Sequence, residues 1–222
     1  IRRQRQMCIR DRGRKKHAGD AIFEDVNNDG QLDSKDMKFM GYIRPDKVGG
    51  IVNSFKYKGL TVRVVMDWAM GHVIDNGFKG QIMGSSRNNN NAIKDAMTNS
   101  WQSANDGTKY PKYTVQSDYD YQYRNHMRWD NQIGSSESGS TNNSLYFSKG
   151  DYLAFREVSL SYMLPSTWVR KIRLSGVEVF AGAYNIGYIK KYDGMFPEIY
   201  TGVDYGVYPR PRQYNMGVKI NF

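Results

Sequence analysis

The chain closes on Arg212-Gln213-Tyr214-Asn215-Met216-Gly217-Val218-Lys219-Ile220-Asn221-Phe222, where polar and apolar residues alternate up to a terminal aromatic. On a strand, Tyr214, Met216, Val218, Ile220 and Phe222 share one face, and Gln213, Asn215, Lys219 and Asn221 share the other. A soluble domain rarely carries its final carboxylate on a bulky apolar residue of so long a strand. A membrane-spanning β-barrel does, because ~9–11 tilted residues cross the hydrocarbon core with an apolar side to lipid and a polar side to the lumen.

Four further strands are predicted upstream. Val48–Tyr57 and Leu60–Met70 are joined only by Lys58-Gly59, a two-residue hairpin connection whose glycine accepts positive φ. In the second of these, Leu60, Val62, Val64, Met66, Trp68 and Met70 fall on one face and Thr61, Arg63 and Asp67 on the other. Tyr152–Tyr162 forms the third, with a parity slip near Arg156-Glu157 that predicts a bulge. The fourth runs from about Leu174 to Asn185 and alternates poorly. The connections run short, long, short, long: Lys58-Gly59, then Gly71–Gly150, then Met163 through Arg173, then Gly187–Pro211. In outer-membrane barrels short turns are periplasmic and long loops extracellular, so strands one, three and five run inward and Phe222 ends on the periplasmic side. The fold class expected is all-β, the C-terminal part of a large antiparallel transmembrane barrel of which about five strands are present. Trp68, Tyr162 and Trp168 are placed at membrane interfaces.

Composition agrees once one segment is set aside. Arg3–Arg12, RQRQMCIRDR, differs from all that follows and holds the only cysteine, Cys8; residues 1–18 are read as a non-native or disordered basic tail. Eight of the 32 Lys and Arg lie in residues 1–17, leaving 24 bases against 21 acids in the other 205 residues, so the net charge of +10 is local and points to no nucleic-acid partner. Without Cys8 there is neither a disulfide nor a thiolate metal site to consider. No apolar run approaches the ~18 residues of a membrane helix. A mean hydropathy of −0.71 suits a barrel, whose strands are half polar and whose loops are wholly so, and 17 tyrosines suit interfacial girdles.

Upstream of the strands, residues 19–46 are read as an extracellular loop built around Asp25-Val26-Asn27-Asn28-Asp29-Gly30-Gln31-Leu32-Asp33-Ser34-Lys35-Asp36. Calcium takes six to eight hard oxygens, and a 12-residue loop supplies them from positions 1, 3, 5, 7, 9 and 12 with Gly at 6. Those positions hold Asp25, Asn27, Asp29, Gln31, Asp33 and Asp36, with Gly30 at the turn. Asp36 stands where a bidentate Glu is usual, and no helices flank the loop. An Asx-rich turn without an ion explains the same residues, so calcium is a candidate cofactor and none is required. No catalytic constellation appears: His17, His72 and His126 are far apart in sequence, and no serine sits in a nucleophile elbow, so no enzyme is expected. Trp101, Tyr110, Tyr113 and Trp129 in the long loop are candidate ligand contacts, since aromatic rings stack on sugars, although such residues also hold loops together.

Taken in order, several segments resemble one family. These are Gly19-Asp20, the Asp25–Asp33 loop, Gly41–Pro45, the Tyr57-Lys58-Gly59 hairpin, and Gly150-Asp151-Tyr152-Leu153 through Tyr162-Met163-Leu164-Pro165. Val177–Asn185 and Tyr208-Pro209-Arg210-Pro211-Arg212-Gln213-Tyr214 through Phe222 complete the series, and the segment around Trp101 adds to it. Together they resemble the C-terminal end of SusC/RagA-type TonB-dependent transporters. The resemblance implies a cell outer-membrane location and a 22-stranded barrel around an N-terminal plug. It also implies import of oligosaccharides or peptides under a SusD-like lipoprotein, and energy from a TonB complex that contacts a part of the protein preceding this chain. The terminal strand, Tyr214 to Phe222, would then be the signal read by the barrel-insertion machinery. Two other classes stay open on the residues alone: a secreted calcium-dependent β-sandwich adhesin or lectin, which would bury Leu60, Val62, Val64 and Met66 against a second sheet, and a small complete barrel, which would need about eight strands.

Overall fold

The structure is a computed structural model that describes residues 18–19, 24–30, 34–79, 85–86, 94–104, 107–108, 110–115 and 144–222. Two compact units divide the chain: Ile1–Gly41, Asp75–Phe147 and Val203–Gly206 form one, and Tyr42–Ile74, Ser148–Gly202 and Val207–Phe222 the other.

The second unit is built on a five-stranded antiparallel sheet. Its strands are β1 (Lys47–Tyr57), β2 (Leu60–Met70), β3 (Tyr152–Met163), β4 (Gly176–Lys190) and β5 (Gln213–Asn221), paired in sequence order. All five predicted strands are present and the sheet is open, with β1 and β5 as its edges. The β1–β2 turn has both central residues at positive φ, Lys58 at 44° and Gly59 at 85°. That is the primed geometry whose twist matches the strands it joins. A side chain at Gly59 would meet the Met163 carbonyl at 2.7 Å, and the Gly59 carbonyl accepts the Met163 N–H at 2.8 Å, so the hairpin end is stitched to β3.

Register assigns every side chain to a face. One face collects Leu60, Val62, Val64, Met66 and Trp68 of β2, then Leu153, Phe155, Val158, Leu160 and Tyr162 of β3. Val177, Val179, Ala181, Ala183 and Ile189 of β4 follow, with Tyr214, Met216, Val218 and Ile220 of β5. From β2 to β5 that face has no charged residue. The opposite face carries Arg63, Asp67, Arg156, Glu157, Ser159, Ser161, Glu178, Lys190, Gln213, Asn215 and Lys219, and Arg63 pairs with Glu157 at 3.4 Å. Many residues of the apolar face are open: Met216 is 87% exposed, Tyr214 72% and Leu160 47%. Among the described residues the only other sheets are two-stranded, so no second layer covers this face as a sandwich requires. Trp68 lies near the long-loop end of the sheet, and Tyr162 and Trp168 at the short-turn end.

The fourth strand runs to Lys190, five residues beyond the expected Asn185. Its alternation is hard to read because aromatics sit on the wet face. Phe180 lies over Gly217 on β5, where an added Cβ would come within 2.7 Å of the ring. Aromatic cover over a strand glycine makes an apolar residue acceptable on a polar face. The predicted bulge is present: Val65 and Met66 are opposed by Glu157 and Phe155, leaving Arg156 as the extra residue, and the β3–β4 register shifts at the same place.

The unit's buried apolar cluster sits at the long-loop end, where Ile74, Tyr192, Phe196 and Ile199 pack with Tyr188. The first unit has a smaller nucleus of Tyr110 and Tyr146 with Tyr113 and Leu145. Its backbone is knitted by hydrogen bonds from Asn76 N–H to the Tyr146 carbonyl (3.0 Å), Phe78 N–H to Asp204 (2.8 Å) and Asp204 N–H to Asp75 (2.8 Å). Residues 75–78 and 203–206, one from each long connection, therefore belong to one structure.

Candidate functional site

The bulge determines what the wet face presents. An extra residue in one strand tilts its side chain out of the regular alternation, and Arg156 is thereby turned onto the side of Asp67 and Glu157. Its guanidinium holds Asp67 in a fork, with Nη2 donating to Oδ2 at 2.7 Å and Nε to Oδ1. Nη1 donates to the Tyr188 hydroxyl at 3.2 Å and pairs with Glu198 Oε1 at 2.5 Å. Glu198 also accepts the Tyr188 hydroxyl at 2.6 Å and meets Arg210 Nη2 at 3.2 Å. Two acids and two bases make the cluster neutral, and the Glu198 carboxylate is only 1% exposed.

Glu198 reaches that position because its neighbours are apolar. Phe196, Pro197 and Ile199 are all buried, and Tyr188 meets Phe196 edge-on at 5.9 Å. The connection from β4 to β5 thus folds back over the polar face of the sheet and is tied there by one carboxylate between two arginines. Sequence reading singled out the Arg156 slip but not Glu198. The available signal was an acid enclosed by Phe-Pro and Ile in a segment otherwise free of charge.

Beside this cluster, the β2 exit and β3 entry are joined. The Gly71 N–H donates to Asp151 Oδ1 at 2.8 Å and Lys191 Nζ to Oδ2 at 3.0 Å. Burial alone would raise the Asp151 pKa, but the Gly71 N–H and the Lys191 ammonium outweigh it and hold the carboxyl below its ordinary value. His72 is buried with its ring against Gly150, and desolvation pulls its pKa down despite the attraction of Asp151.

The candidate aromatics separate by burial. Tyr110 is buried and faces Lys79 Nζ at 5.5 Å, while Tyr113 is half-buried beside it. The Tyr146 hydroxyl in the same nucleus is pushed up to about 12, first by burial and then by Tyr110, against the pull of Lys79. Trp101 is half-buried with its ring over Gly19, and its backbone N–H donates to the Tyr110 carbonyl at 3.0 Å. Trp129 lies outside the described residues.

The calcium-like loop is organised by its own side chains. Asp25 accepts the N–H groups of Asp29 (3.3 Å) and Gly30 (2.8 Å), Asn27 Oδ1 accepts Asp29 N–H at 3.1 Å, and Asp36 Oδ1 accepts Val26 N–H at 2.8 Å. Asn28 at φ 57° and Gly30 at φ 78° make the turn. The donors are hard oxygens, which fits calcium by chemistry. Among the described residues no three His, Cys, Asp or Glu side chains converge as a metal site, and Gln31 and Asp33 lie outside them. On the terminal strand, Tyr214, Met216, Val218 and Ile220 line up on the open apolar face, and Phe222 is 93% exposed beyond it.

No family model matches the chain. It is 25% identical over 216 residues to TonB-dependent receptor P3 of Formosa agariphila, a match covering 92% of this chain and 19% of that protein. It is 26% identical over 91 residues to TonB-dependent receptor SusC of Bacteroides thetaiotaomicron, covering 40% of this chain and 9% of SusC. Among solved structures, the RagAB peptide transporter superposes with a TM-score of 0.60 at 21% identity, over 81% of this chain and 17% of its own. The RagAB peptide importer in its closed-closed state gives 0.61 at 21% identity, over 83% and 18%. The chain spans about a fifth of the length of the curated receptors that it matches along most of its own length. Its homologues are therefore TonB-dependent receptors of the SusC/RagA type, β-barrel proteins of outer-membrane transport, and it corresponds to the C-terminal part of their barrel.

Proposed function

We propose that this chain supplies the C-terminal strands and two extracellular loops of a TonB-dependent outer-membrane receptor that imports oligosaccharides or peptides with a SusD-like lipoprotein. The observation that carries this reading is the segregation of the sheet: an uncharged apolar face left open from β2 to β5, backed by a face of ion pairs and amides. A bilayer solvates the first and a water-filled or plugged lumen the second. Among the loop aromatics, Trp101, Tyr113 and Trp129 are the proposed substrate contacts, and Tyr110 is chiefly a packing residue. The residues after Pro211 form the segment read by the insertion machinery.

The two faces provide the test. In the receptor that carries this segment, Leu160→Arg puts a charge on the lipid side and should destabilise the barrel by roughly 2–4 kcal/mol if near mid-membrane. Ser159→Arg, its neighbour on the polar side, should be tolerated. Outer-membrane levels and heat-modifiable migration of the two variants report the difference. Equal tolerance of both would refute the membrane assignment, and a properly inserted receptor that takes up neither oligosaccharides nor peptides would refute the substrate class alone.

A further inference from the structure

The short-turn end of the sheet has a property that strand alternation does not require. The β1–β2 hairpin turn and the β3–β4 connection, residues 164–175, together carry Lys58, Arg170, Lys171 and Arg173 and no acid. Nearby, Glu178 faces the polar side opposite Lys219 in register. The long-loop end of the same unit is different, since its charges are of mixed sign and pair as Lys191 with Asp151 and Arg210 with Glu198. Among the described residues, Arg170, Lys171 and Arg173 make no ion pair, and all three are exposed.

These bases sit on a fixed platform. A short helix, Ser166–Val169, and a 3₁₀ turn, Arg170–Ile172, are pinned by Val169, which is buried and whose carbonyl accepts the Leu174 N–H at 3.3 Å. Arg173 adopts the left-handed conformation that ends the turn. Trp168 is 62% and Ile172 65% exposed, so two large apolar side chains stand open beside three unpaired cations. Tyr57 is exposed on the adjoining hairpin with the Lys58 ammonium over its ring.

Indole and aliphatic groups next to guanidinium and ammonium groups match a bilayer surface whose headgroups are anionic phosphates: the rings enter the boundary and the cations meet the phosphates. A soluble phosphate would use the cations and leave Trp168 and Ile172 in water. We infer that the short-turn end of this barrel segment is a selective contact for anionic phospholipid, centred on Arg170, Lys171 and Arg173 and anchored by Trp168 and Ile172. The inference rests on the membrane-barrel reading above and adds a lipid preference to it.

The test uses the receptor that carries this segment, with its other cysteines replaced by serine, labelled with a fluorophore at Ser166→Cys and reconstituted in phosphatidylcholine vesicles. Brominated phosphatidylglycerol should quench the label more than brominated phosphatidylcholine at equal mole fraction. The preference should fall about fivefold for each base replaced in R170Q, K171Q and R173Q and fade as salt is raised. Equal quenching by the two lipids, or a preference that the triple variant retains, overturns the inference while leaving the barrel intact. Quenching by neither lipid refutes the membrane reading itself. If the triple variant does not insert, the salt series on the unsubstituted turn decides, because a preference insensitive to salt is not electrostatic.

Discussion

Replacing Glu198 should release the β4–β5 connection from the polar face of the sheet. Its carboxylate is 1% exposed and bridges Arg156 at 2.5 Å, Arg210 at 3.2 Å and the Tyr188 hydroxyl at 2.6 Å. Removing one partner of a buried ion pair costs about 3–5 kcal/mol, because the other charge stays desolvated. The lower end applies here for two reasons: Arg156 keeps its fork to Asp67, and the Arg210 side chain is 49% exposed and can turn to water. About 3 kcal/mol is roughly a hundredfold in the opening equilibrium. Hydrogen exchange of the amides of residues 192–200 in the intact receptor should accelerate by that factor in Glu198→Ala. Glu198→Gln keeps the shape and one acceptor and loses the charge, so it should fall in between. A double-mutant cycle with Arg210→Ala then separates the exposed arm of the network from the buried one. If Ala and Gln both leave exchange within a fewfold of the parent, packing of Phe196, Pro197 and Ile199 holds the loop unaided and the charge network contributes nothing measurable.

The junction of His72 with Asp151 should weaken on acidification in two windows. The His72 pKa is lowered in the fold, so its contribution is complete above the unfolded value near 6.5 and is lost as pH falls below it; that of Asp151, also lowered, is lost only as pH falls below its unfolded value of 3.8. Exchange or proteolysis at residues 70–76 between pH 7 and 5 should show the first window, and His72→Phe should flatten it. Deleting Phe222 should lower the receptor's outer-membrane level, and an unchanged level would exclude the terminal aromatic as an assembly signal. Calorimetry with millimolar calcium should give a binding isotherm that Asp25→Asn and Asp29→Asn abolish, whereas no heat would leave the loop as an Asx turn closed by its own backbone.

Strands whose two faces meet different solvents are legible in sequence, and the sheet shows why. In β2 from Leu60 to Met70 and in β5 from Gln213 to Asn221, successive side chains fall in turn on the apolar and the polar face, so the pleat prints a period of two on the residues. Even the bulge is written as a parity slip at Arg156, since the inserted residue must break that period to be inserted at all. Phe180 defeats the pattern because its environment is set by Gly217 on another strand, a partner more than thirty residues away. Glu198 defeats it for the same reason more strongly: its partners Arg156, Tyr188 and Arg210 come from three separate places in the chain, and only a finished sheet brings them together. The loop nucleus of Tyr110 and Tyr146 belongs with these, its backbone bonds joining residues as distant as Gly19 and Lys112, or Asp75 and Asp204. What the period of two cannot record is any contact chosen by topology rather than by solvent. The polar face of this segment is built largely from such contacts, whereas the apolar face is built largely from the alternation itself.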